Sequence, residues 1–526
     1  MPNSLTAAPL TVLRAIQHGV STARYVPHLL SAPVTGEDAV ADTRERLARR
    51  ADAFLEVAER AIYAHPRSAY RPLLDAAGYD LPRLRALVRR RGVEEALRQL
   101  QWDGVYVTIE EFKGLREVRR GSRVFRFSEQ HFRNSLIHSG LRAPSGGTRG
   151  PALWNTIPPE NHRVGAEHLA LALEAYGLRR APVALWLAQA HGASAWAVLA
   201  LAVIGQAPPR WFTHVGPRTP LRTRLFVQVL RQTARLRGVR LPGTTYVPLG
   251  EESRILEWVA QTGPSGCGIF TTPSLALRLA LQAQRSGRRL DGLTFITIAE
   301  PLTAVKLRHI RAAGARAFSS LGFTEFGRVT YGCAAAEGDE THICSDAVAV
   351  LQYPRSVDRL GTEVDALLFT TLRPDARRIL LNVETGDYAR MLPGGCGCFL
   401  EHVGWTQRLR DIRSFEKLNA EGRLFYGTQL IDLVEQTLPG RFGGDPTDYQ
   451  LVEQEDEMGF TRLSVLVHPR LDGVDERGVL ATVEDALRSR QAASAEIWRE
   501  AGTIRIVRAA PMLTAAGKLM PLHHLV

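Results

Sequence analysis

One segment of the chain has the composition of a phosphate-binding loop. It combines glycines with hydroxyl side chains, and its residues are Ser145, Gly146, Gly147, Thr148, Arg149 and Gly150. Glycine lets the backbone turn tightly and brings amide N–H groups close to an anion, and Ser and Thr add short donors. The segment lacks the Gly-Lys-Ser/Thr ending of a Walker loop, so the cation must come from elsewhere. Lys518, which follows Gly517, is the candidate. On composition alone, a plain surface turn is the alternative.

Further short motifs follow this loop in a fixed order. They are Thr272-Pro273-Ser274, Glu300-Pro301-Leu302-Thr303, Gly322-Phe323-Thr324-Glu325, Thr341-His342-Ile343, Thr385-Gly386-Asp387-Tyr388 and Arg413-Ser414-Phe415-Glu416-Lys417-Leu418. The series resembles the adenylate-forming (AMP-producing) acyl ligases, and most closely their phenylacetate–CoA ligase branch. The resemblance covers roughly residues 60 to 526. It rests on the order of the motifs, because none of them is specific alone.

The resemblance implies an enzyme that activates a carboxylic acid. A carboxylate is a poor acyl donor, but attack of its oxygen on the α-phosphate of ATP releases pyrophosphate and gives an acyl adenylate, from which AMP leaves well. The protein has to position the reactants and neutralise charge at phosphorus. A thiol then takes the acyl group, and coenzyme A is the expected acceptor. Transfer to a carrier protein or an amine is the alternative within this fold. A non-catalytic nucleotide-binding relative is the alternative of another class.

The resemblance also implies roles for particular residues. Thr148, Glu325 and Lys518 are expected to be catalytic, with Glu325 as the Mg²⁺ ligand because a carboxylate is a hard oxygen donor. Lys518 would meet the α-phosphate and the substrate carboxylate, and Asp387 would accept the ribose hydroxyls. The residues expected to bind ATP are the loop 145–150, Gly322, Thr324, Glu325, Asp387, Arg413 and Lys518. Taken singly, Asp387 could cap a turn, and Glu325 and Lys518 could be solvated surface residues.

The cysteines predict a metal site and no disulfide framework. Their number, five, is odd in a long chain, which favours a reduced, cytoplasmic protein. Cys396 and Cys398 form a C-x-C pair, and Cys333, His342 and Cys344 lie about sixty residues upstream. Three thiolates with one imidazole suit a closed, structural Zn²⁺ site. The resembling branch often carries a Cys, then Gly-Leu-His, then Cys-Pro-Cys-Gly, and this resemblance selects Cys333, His342, Cys396 and Cys398. Inert core cysteines are the alternative.

Three positions depart from the pattern of these ligases. Leu321 stands where an aromatic residue would stack on adenine, and Asn382-Val383-Glu384 replaces Arg-Tyr-Arg before the Thr-Gly-Asp motif. Phe415 occupies the hinge position, where Asp or Lys is usual, and Glu416 follows it. Either the hinge lies at Glu416 or the second half-reaction differs, for example in its acceptor.

The elements that must position these residues follow an α/β pattern. A length of 526 residues exceeds a single core, so two or more domains are expected. Residues 1–100, with apolar spacings of three and four, are predicted as a helical N-terminal extension packed on the large domain. Residues 101–408, where strands alternate with helices, are predicted as a large layered adenylation domain that binds ATP and the acyl group. Residues 409–526 are predicted as a small, mobile α+β domain. The apolar stretch 181–205 is predicted as a buried pair of helices.

The net charge of +12 does not by itself indicate a nucleic-acid partner. The cations are mostly scattered arginines, and no nucleic-acid-binding motif accompanies them. We therefore expect the protein not to bind nucleic acid. Neither a signal peptide nor a membrane span is predicted. The expected partners are a small carboxylic acid with coenzyme A or a carrier protein. The sequence leaves a monomer and a dimer open.

Overall fold

The computed structural model describes residues 21–144, 154–187, 193–214, 221–262, 266–356, 363–414, 417–420, 423–426, 433–444, 448–488, 498–512 and 522–524. Several predicted site residues lie outside the described residues: Ser145, Gly146, Gly147, Thr148, Arg149, Gly150 and Lys518. The two hinge candidates, Phe415 and Glu416, lie outside them as well.

A six-stranded parallel sheet, called here the central sheet, forms the middle of the large α/β region. Its spatial order is Arg316–Ser319, Leu293–Thr297, Cys267–Thr271, Val183–Trp186, Trp211–Thr213 and Thr244–Tyr246. Helices cover both faces, which buries the strands on both sides and explains their continuous apolar composition. Neighbouring side chains of one strand enter opposite cores, as Trp211 and Phe212 do. These two aromatic side chains are therefore core residues.

The helices begin at residues that satisfy their first backbone N–H groups. Thr272 accepts from the N–H of Leu275, and Pro273 opens the helix that follows. Thr303 caps the next helix in the same way. The helices on the central sheet are Pro159–Ala175, Ala193–Val203, Leu221–Arg235, Ser253–Thr262, Pro273–Arg285 and Ala304–Ala312.

A second six-stranded sheet is antiparallel and carries several motif residues. Its order is Thr330–Tyr331, Thr341–Ile343, Arg408–Ser414, Val383–Leu392, Glu363–Thr371 and Val348–Ser356. The strand Arg408–Ser414 begins where the predicted boundary between residues 408 and 409 falls. Three short hairpins of the same region are Val118–Arg120 with Arg123–Phe125, Leu141–Pro144 with Trp154–Ile157, and Gly322–Phe323 with Gly327–Arg328.

Helices dominate the described N-terminal part of the chain. Residues 21–29 are helical, followed by Gly36–Ala48, Arg50–Val57, the π-helical Ala58–Tyr63, Tyr70–Ala76, Leu81–Arg91, Val93–Trp102, Ile109–Phe112 and the 3₁₀ turn Glu129–Phe132. The helices from residue 50 to residue 102 share a core with the second sheet. Val26 and Ala39, from the first two helices, belong instead to a core of the central sheet. The helical segment therefore packs against both sheets.

The last sheet of the chain has four strands and a separate core. Its order is Ile504–Arg508, Thr461–Val467, Tyr449–Glu455 and Leu522–His524, and the helix Glu476–Arg488 packs against it. The short helix Phe399–Val403 precedes the strand Arg408–Ser414, and the hairpin Lys417–Ala420 with Arg423–Tyr426 follows it. Leu433–Thr437 and Leu438–Phe442 come next and contribute to the core of the last sheet. The predicted fold class, a large layered α/β region with a helical extension and a small α+β unit, is confirmed.

The prediction of two helices over 181–205 is wrong. Val183–Trp186 is a fully buried strand of the central sheet, and Ala193–Val203 is a single helix. A parallel strand covered on both faces has no polar alternation, so its composition resembles that of a buried helix. Within the described ranges, no helix has the length and apolar character needed to cross a membrane.

Candidate functional site

The two strands that flank the predicted phosphate loop pair with each other. Leu141–Pro144 and Trp154–Ile157 are antiparallel, and Pro144 lies opposite Trp154. The chain therefore enters and leaves the segment 145–153 at neighbouring points of one hairpin. Asn155, the second residue of the returning strand, is buried. Asn155 marks the base of the loop. This base is among the described residues, and the loop itself is not.

Two consecutive arginines join this loop base to the Glu325 turn. Arg378 is almost fully buried; its Nε donates to Asn155 Oδ1 at 2.7 Å, and its Nη1 donates to the carbonyl of Glu129 at 2.8 Å. Arg377 Nη1 donates to the carbonyl of Thr324 at 3.3 Å. These side chains hold the base of the loop and the turn after Gly322 in one connected polar site.

Glu325 lies in the tight turn between Gly322–Phe323 and Gly327–Arg328. Its carboxylate accepts from Lys113 Nζ at 3.2 Å, and Lys113 is 3.5 Å from Glu129 Oε1. Burial raises the pKa of Glu325, but the charges of Lys113 and Arg378 outweigh that effect and hold the pKa below its ordinary value. Glu325 is therefore an ionised oxygen donor, as a Mg²⁺ ligand must be.

Gly322 is required by the close approach of the two short strands. A Cβ at this position would lie 2.7 Å from the carbonyl oxygen of Gly327, which is closer than side-chain atoms approach backbone. The glycine of the motif thus lets the turn close and places Thr324 and Glu325 at its tip. This explains the Gly-x-Thr-Glu spacing by local geometry.

The structure reveals Lys113 as a functional candidate that the sequence interpretation missed. It follows the short helix Ile109–Phe112, whose N-cap Thr108 forms a capping box with Glu111. Its ammonium group reaches Glu325 across a separation of 212 residues. The one available signal is rarity, because the chain contains only four lysines among its 66 basic residues.

Asp387 and Arg413 lie on neighbouring strands of the second sheet. Asp387 is opposite Ser414, and Tyr388 is opposite Arg413. Asp387 is buried, and its Oδ2 accepts from Thr385 Oγ1 at 2.8 Å. Arg413 Nη1 forms an ion pair with Asp339 Oδ2 at 2.9 Å. The two predicted nucleotide contacts therefore lie in consecutive cross-strand pairs of neighbouring strands, and each has a polar partner of its own.

Two residues of the segment that replaces Arg-Tyr-Arg have structural roles. Asn382 adopts a positive φ of 49°, and its Nδ2 donates to the carbonyls of Leu97 and Val105. Glu384 is buried and bonds to Arg355 Nη1 at 2.7 Å. Asn382 therefore fastens the helix Val93–Trp102 to the start of the strand that carries Asp387. Glu384 fastens that strand to Arg355 on the strand Val348–Ser356 and accepts from the N–H of Ile109. Leu321 packs at the edge of the core of the second sheet.

Four predicted metal ligands come together. The ligand atoms of Cys333, His342, Cys396 and Cys398 all lie within 4.8 Å of one another. Cys333 Sγ and Cys396 Sγ are 3.9 Å apart, and His342 Nε2 is 3.3 Å from the Sγ atoms of Cys396 and Cys398. Zn–S bonds of about 2.3 Å in a tetrahedron place two sulfur atoms about 3.8 Å apart, so the cluster fits a Zn²⁺ ion.

The surroundings of the cluster favour metal binding. His342 Nδ1 donates to the carbonyl of Trp405 at 2.6 Å, which leaves Nε2 as the nitrogen that faces the thiols. A hydrogen bond from Cys333 lowers the pKa of Cys398 well below its ordinary value, so a thiolate is available. Glu401 accepts from the N–H groups of Cys396 and Gly397 and fixes the C-x-C turn. Cys344 is fully buried and lies outside the cluster.

Comparison with solved structures identifies the fold. A 2-hydroxyisobutyryl-CoA ligase in complex with 2-HIB-AMP and CoA, in the thioesterification state, matches with a TM-score of 0.51, covering 91% of this chain and 90% of that chain at 15% identity. An open conformation of that ligase has a TM-score of 0.44 with 93% and 92% coverage at 15% identity. ATP-bound MatB from Rhodopseudomonas palustris has a TM-score of 0.31 with 72% and 66% coverage at 12% identity.

Searches of protein-family models and of curated proteins found no match to this sequence. The structural likeness is therefore what links the chain to known proteins, and at 15% identity it speaks for the fold. The chain adopts the fold of the AMP-forming acyl-CoA ligases, as its ordered motifs predicted.

Proposed function

We propose that this protein uses ATP to activate a carboxylic acid as an acyl adenylate, releases pyrophosphate, and transfers the acyl group to the thiol of coenzyme A. The observation that carries the proposal is the polar link between the loop base and the Glu325 turn. Arg378 bonds to Asn155 next to the loop, and Arg377 bonds to Thr324 in the turn. A phosphate-binding loop and a metal-binding carboxylate act on the same phosphates only if they are held together in this way.

The proposed roles follow from the chemistry of each side chain. The hydroxyls and amides of Ser145 to Gly150 bind the β- and γ-phosphates, with Thr148 as a donor during the reaction. Glu325 holds Mg²⁺, which when bound neutralises charge on the phosphates. Gly322 and Thr324 shape the turn that carries this carboxylate. Lys518 neutralises the charge that develops at the α-phosphate and the substrate carboxylate.

Asp387 and Arg413 form the proposed ribose side of the nucleotide site. Asp387 accepts the ribose hydroxyls, and Thr385 orients its carboxylate by donating to Oδ2. Arg413 lies on the neighbouring strand, where its ion pair with Asp339 holds the guanidinium group. The ordered carboxylate loses little conformational freedom when ATP binds, which favours affinity.

The acceptor is proposed to be coenzyme A. Asn382 and Glu384, which differ from the ligase pattern, serve the packing of the helical segment, so their presence does not require another acceptor. A carrier protein or an amine is the alternative. Supplying the enzyme with ATP, its acid and each acceptor in turn tests the choice. We expect a thioester with coenzyme A, and product formed only with a holo-carrier or an amine would contradict it.

We further propose that Cys333, His342, Cys396 and Cys398 bind one structural Zn²⁺ ion per chain. Four protein ligands leave no open position for catalysis, and thiolates favour Zn²⁺ over Mg²⁺. The same four residues support the proposed likeness to the phenylacetate–CoA ligase branch. Elemental analysis should find one zinc in the wild type and in Cys344→Ser, and none in Cys398→Ser. Zinc retained by Cys398→Ser would contradict the ligand set.

Three units are proposed for the chain. They are the helical extension 1–100, the large adenylation domain 101–408 and the small domain 409–526. Because the strand Arg408–Ser414 is paired on both sides within the second sheet, the moving part is proposed to begin after it. The small domain is proposed to rotate between adenylation and acyl transfer, and Phe415 or Glu416 would be the pivot. Proline at either position should slow thioester formation more than pyrophosphate exchange, because only the former needs the rotation.

The activity is tested by carboxylate-dependent exchange of label between pyrophosphate and ATP. A panel of aromatic, branched, hydroxy and medium-chain acids covers the open question of the substrate. We expect exchange with at least one acid and a strong loss in Glu325→Gln. Arg488→Gln is the control, and its exchange should match that of the wild type. It removes an exposed ion pair with Asp485 on the helix Glu476–Arg488, which packs against the last sheet. ATP binding without exchange for any acid would favour the non-catalytic relative.

A further inference from the structure

A chain of buried polar contacts leads away from the proposed metal centre. His342 donates from Nδ1 to the carbonyl of Trp405, and the indole N–H of Trp405 donates to Asp346 Oδ1 at 3.0 Å. Trp405 is fully buried and Asp346 almost so. One residue therefore touches the metal-ligand histidine with its backbone and a buried carboxylate with its side chain.

The buried Asp346 carboxylate is held by two side chains from different helices. Arg46 Nε bonds to Asp346 Oδ2 at 2.8 Å, and His168 Nε2 bonds to the same oxygen at 2.8 Å. Arg46 also bonds to Glu167 through Nη1 at 2.6 Å. Arg46 belongs to the N-terminal helix Gly36–Ala48, and the other two belong to Pro159–Ala175. The contacts that start at the metal-ligand histidine thus end on the N-terminal helix.

A second set of contacts joins the same two places. Cys398 is the N-cap of the short helix Phe399–Val403, which ends at Gly404. Arg44 Nη2 donates to the carbonyl of His402 at 3.1 Å. Leu47 lies so close to Gly404 that a Cβ there would be 2.5 Å from Leu47 Cδ1. The segment directly after the two C-x-C ligands therefore packs on the helix Gly36–Ala48.

From these two sets of contacts we infer that the metal centre fastens the N-terminal helix Gly36–Ala48 to the large domain, with Trp405, Asp346 and Arg46 as positioning residues. The inference rests on the metal centre proposed above. Metal binding and docking of the helix are then coupled, and the coupling is reciprocal. Loss of the metal lowers the equilibrium constant for docking of the helix by some factor. Undocking of the helix lowers the affinity for the metal by the same factor.

A neighbouring ion pair separates this coupling from a general loss of packing. If the coupling is specific, loss of that pair should leave the release of zinc unchanged. Arg50, on the next helix, has the same exposed side-chain fraction as Arg46, 19%, and is paired with Glu94 on Val93–Trp102. It makes no contact with the polar chain within the described residues. Arg50→Met removes a partly buried ion pair of the N-terminal segment and leaves the contacts among Trp405, Asp346 and Arg46 in place, so it is the control for Arg46→Met.

The test measures release of zinc from the full-length holoprotein to a chromogenic chelator. Arg46→Met and Trp405→Phe keep the Trp405 carbonyl that binds His342 and break the contacts beyond it, so each should release zinc about 2- to 30-fold faster. Arg46→Lys, which keeps the charge, should recover part of the loss, and Arg50→Met should behave as the wild type. Equal release from the Arg46 and Arg50 variants, or unchanged release from both Arg46→Met and Trp405→Phe, would overturn the coupling.

Hydrogen–deuterium exchange of the wild type gives the reciprocal readout without any substitution. Removal of zinc should increase exchange in residues 36–48 and leave the helix Leu81–Arg91 unchanged. Unchanged exchange in residues 36–48 after zinc has left would overturn the inference while the metal centre stands. A purified protein that holds no zinc would instead overturn the metal centre itself, so the two failures are distinguishable.

Discussion

Replacing Arg378 by methionine should destabilise the large domain and disable the nucleotide site together. Arg378 is 2% exposed and donates to Asn155 Oδ1 and to the Glu129 carbonyl at 2.7 and 2.8 Å. Hydrogen bonds from a charged donor contribute about 1.5–3 kcal/mol each. The variant loses two of them and should therefore lose about 3–6 kcal/mol of unfolding free energy.

The assay is thermal unfolding of the wild type and the variant followed by tryptophan fluorescence. A loss of this size corresponds to a fall of about 5–15 °C in the melting temperature for a domain of a few hundred residues. Pyrophosphate exchange, measured well below that temperature, should fall as well, because the loop base and the Glu325 turn lose their link. Arg378→Lys keeps the charge but lacks the planar guanidinium group. Its melting temperature and exchange rate should lie between those of the wild type and Arg378→Met.

An exposed arginine provides the control for this prediction. Arg289 is 65% exposed and paired with Asp291. Water screens such a surface pair, so Arg289→Met should melt close to the wild type. If Arg378→Met also melted within about 2 °C of the wild type, a shift of about 1 kcal/mol or less, the network would not hold the site. Normal exchange activity in that variant would refute its functional part.

Three further predictions concern single residues. Lys518→Ala should slow adenylate formation by about 10²–10³-fold with little change in melting temperature, and a near wild-type rate would remove Lys518 from the site. Asp387→Ala should weaken ATP binding by about 3 kcal/mol or more, since two charge-assisted hydrogen bonds are lost; titration calorimetry showing equal affinity would contradict this. Burial lowers the pKa of His162 to about 3, so the unfolded chain takes up the proton first and stability falls as the pH drops from about 6.5 towards 3. At pH 5 the loss of unfolding free energy is about 2 kcal/mol. His162→Gln should therefore narrow the difference in melting temperature between pH 7 and pH 5, and an unchanged difference would contradict the lowered pKa of His162.

The fold class was predictable because local signals agree with the tertiary arrangement over much of the chain. The strand Cys267–Thr271 and the helix Pro273–Arg285 are separated by Thr272, and a Thr-Pro pair is a recognisable helix start. The stretch 181–205 failed for the opposite reason. The burial of Val183–Trp186 on both faces is a property of the completed sheet and leaves no alternation in the sequence.

The candidate site was predictable as a set of residues and much less as a set of contacts. Glu325, Asp387 and Arg413 occur in motifs that can be recognised one at a time. Their partners Lys113 and Asp339 come from distant segments, and only the folded chain brings them close. The same holds for the metal centre, where the sequence indicates the four ligands but not the Trp405 carbonyl that orients His342.

Transfer of oxygen from the substrate to AMP tests the central claim most directly. The acid that supports exchange is supplied with ¹⁸O in both carboxylate positions, together with ATP and coenzyme A, and the nucleotide product is analysed by mass spectrometry. If the carboxylate oxygen attacks the α-phosphate and leaves with it, the product is AMP carrying one ¹⁸O atom, and the pyrophosphate is unlabelled. Formation of ADP with ¹⁸O in inorganic phosphate, or of AMP without label, would contradict an acyl-adenylate mechanism.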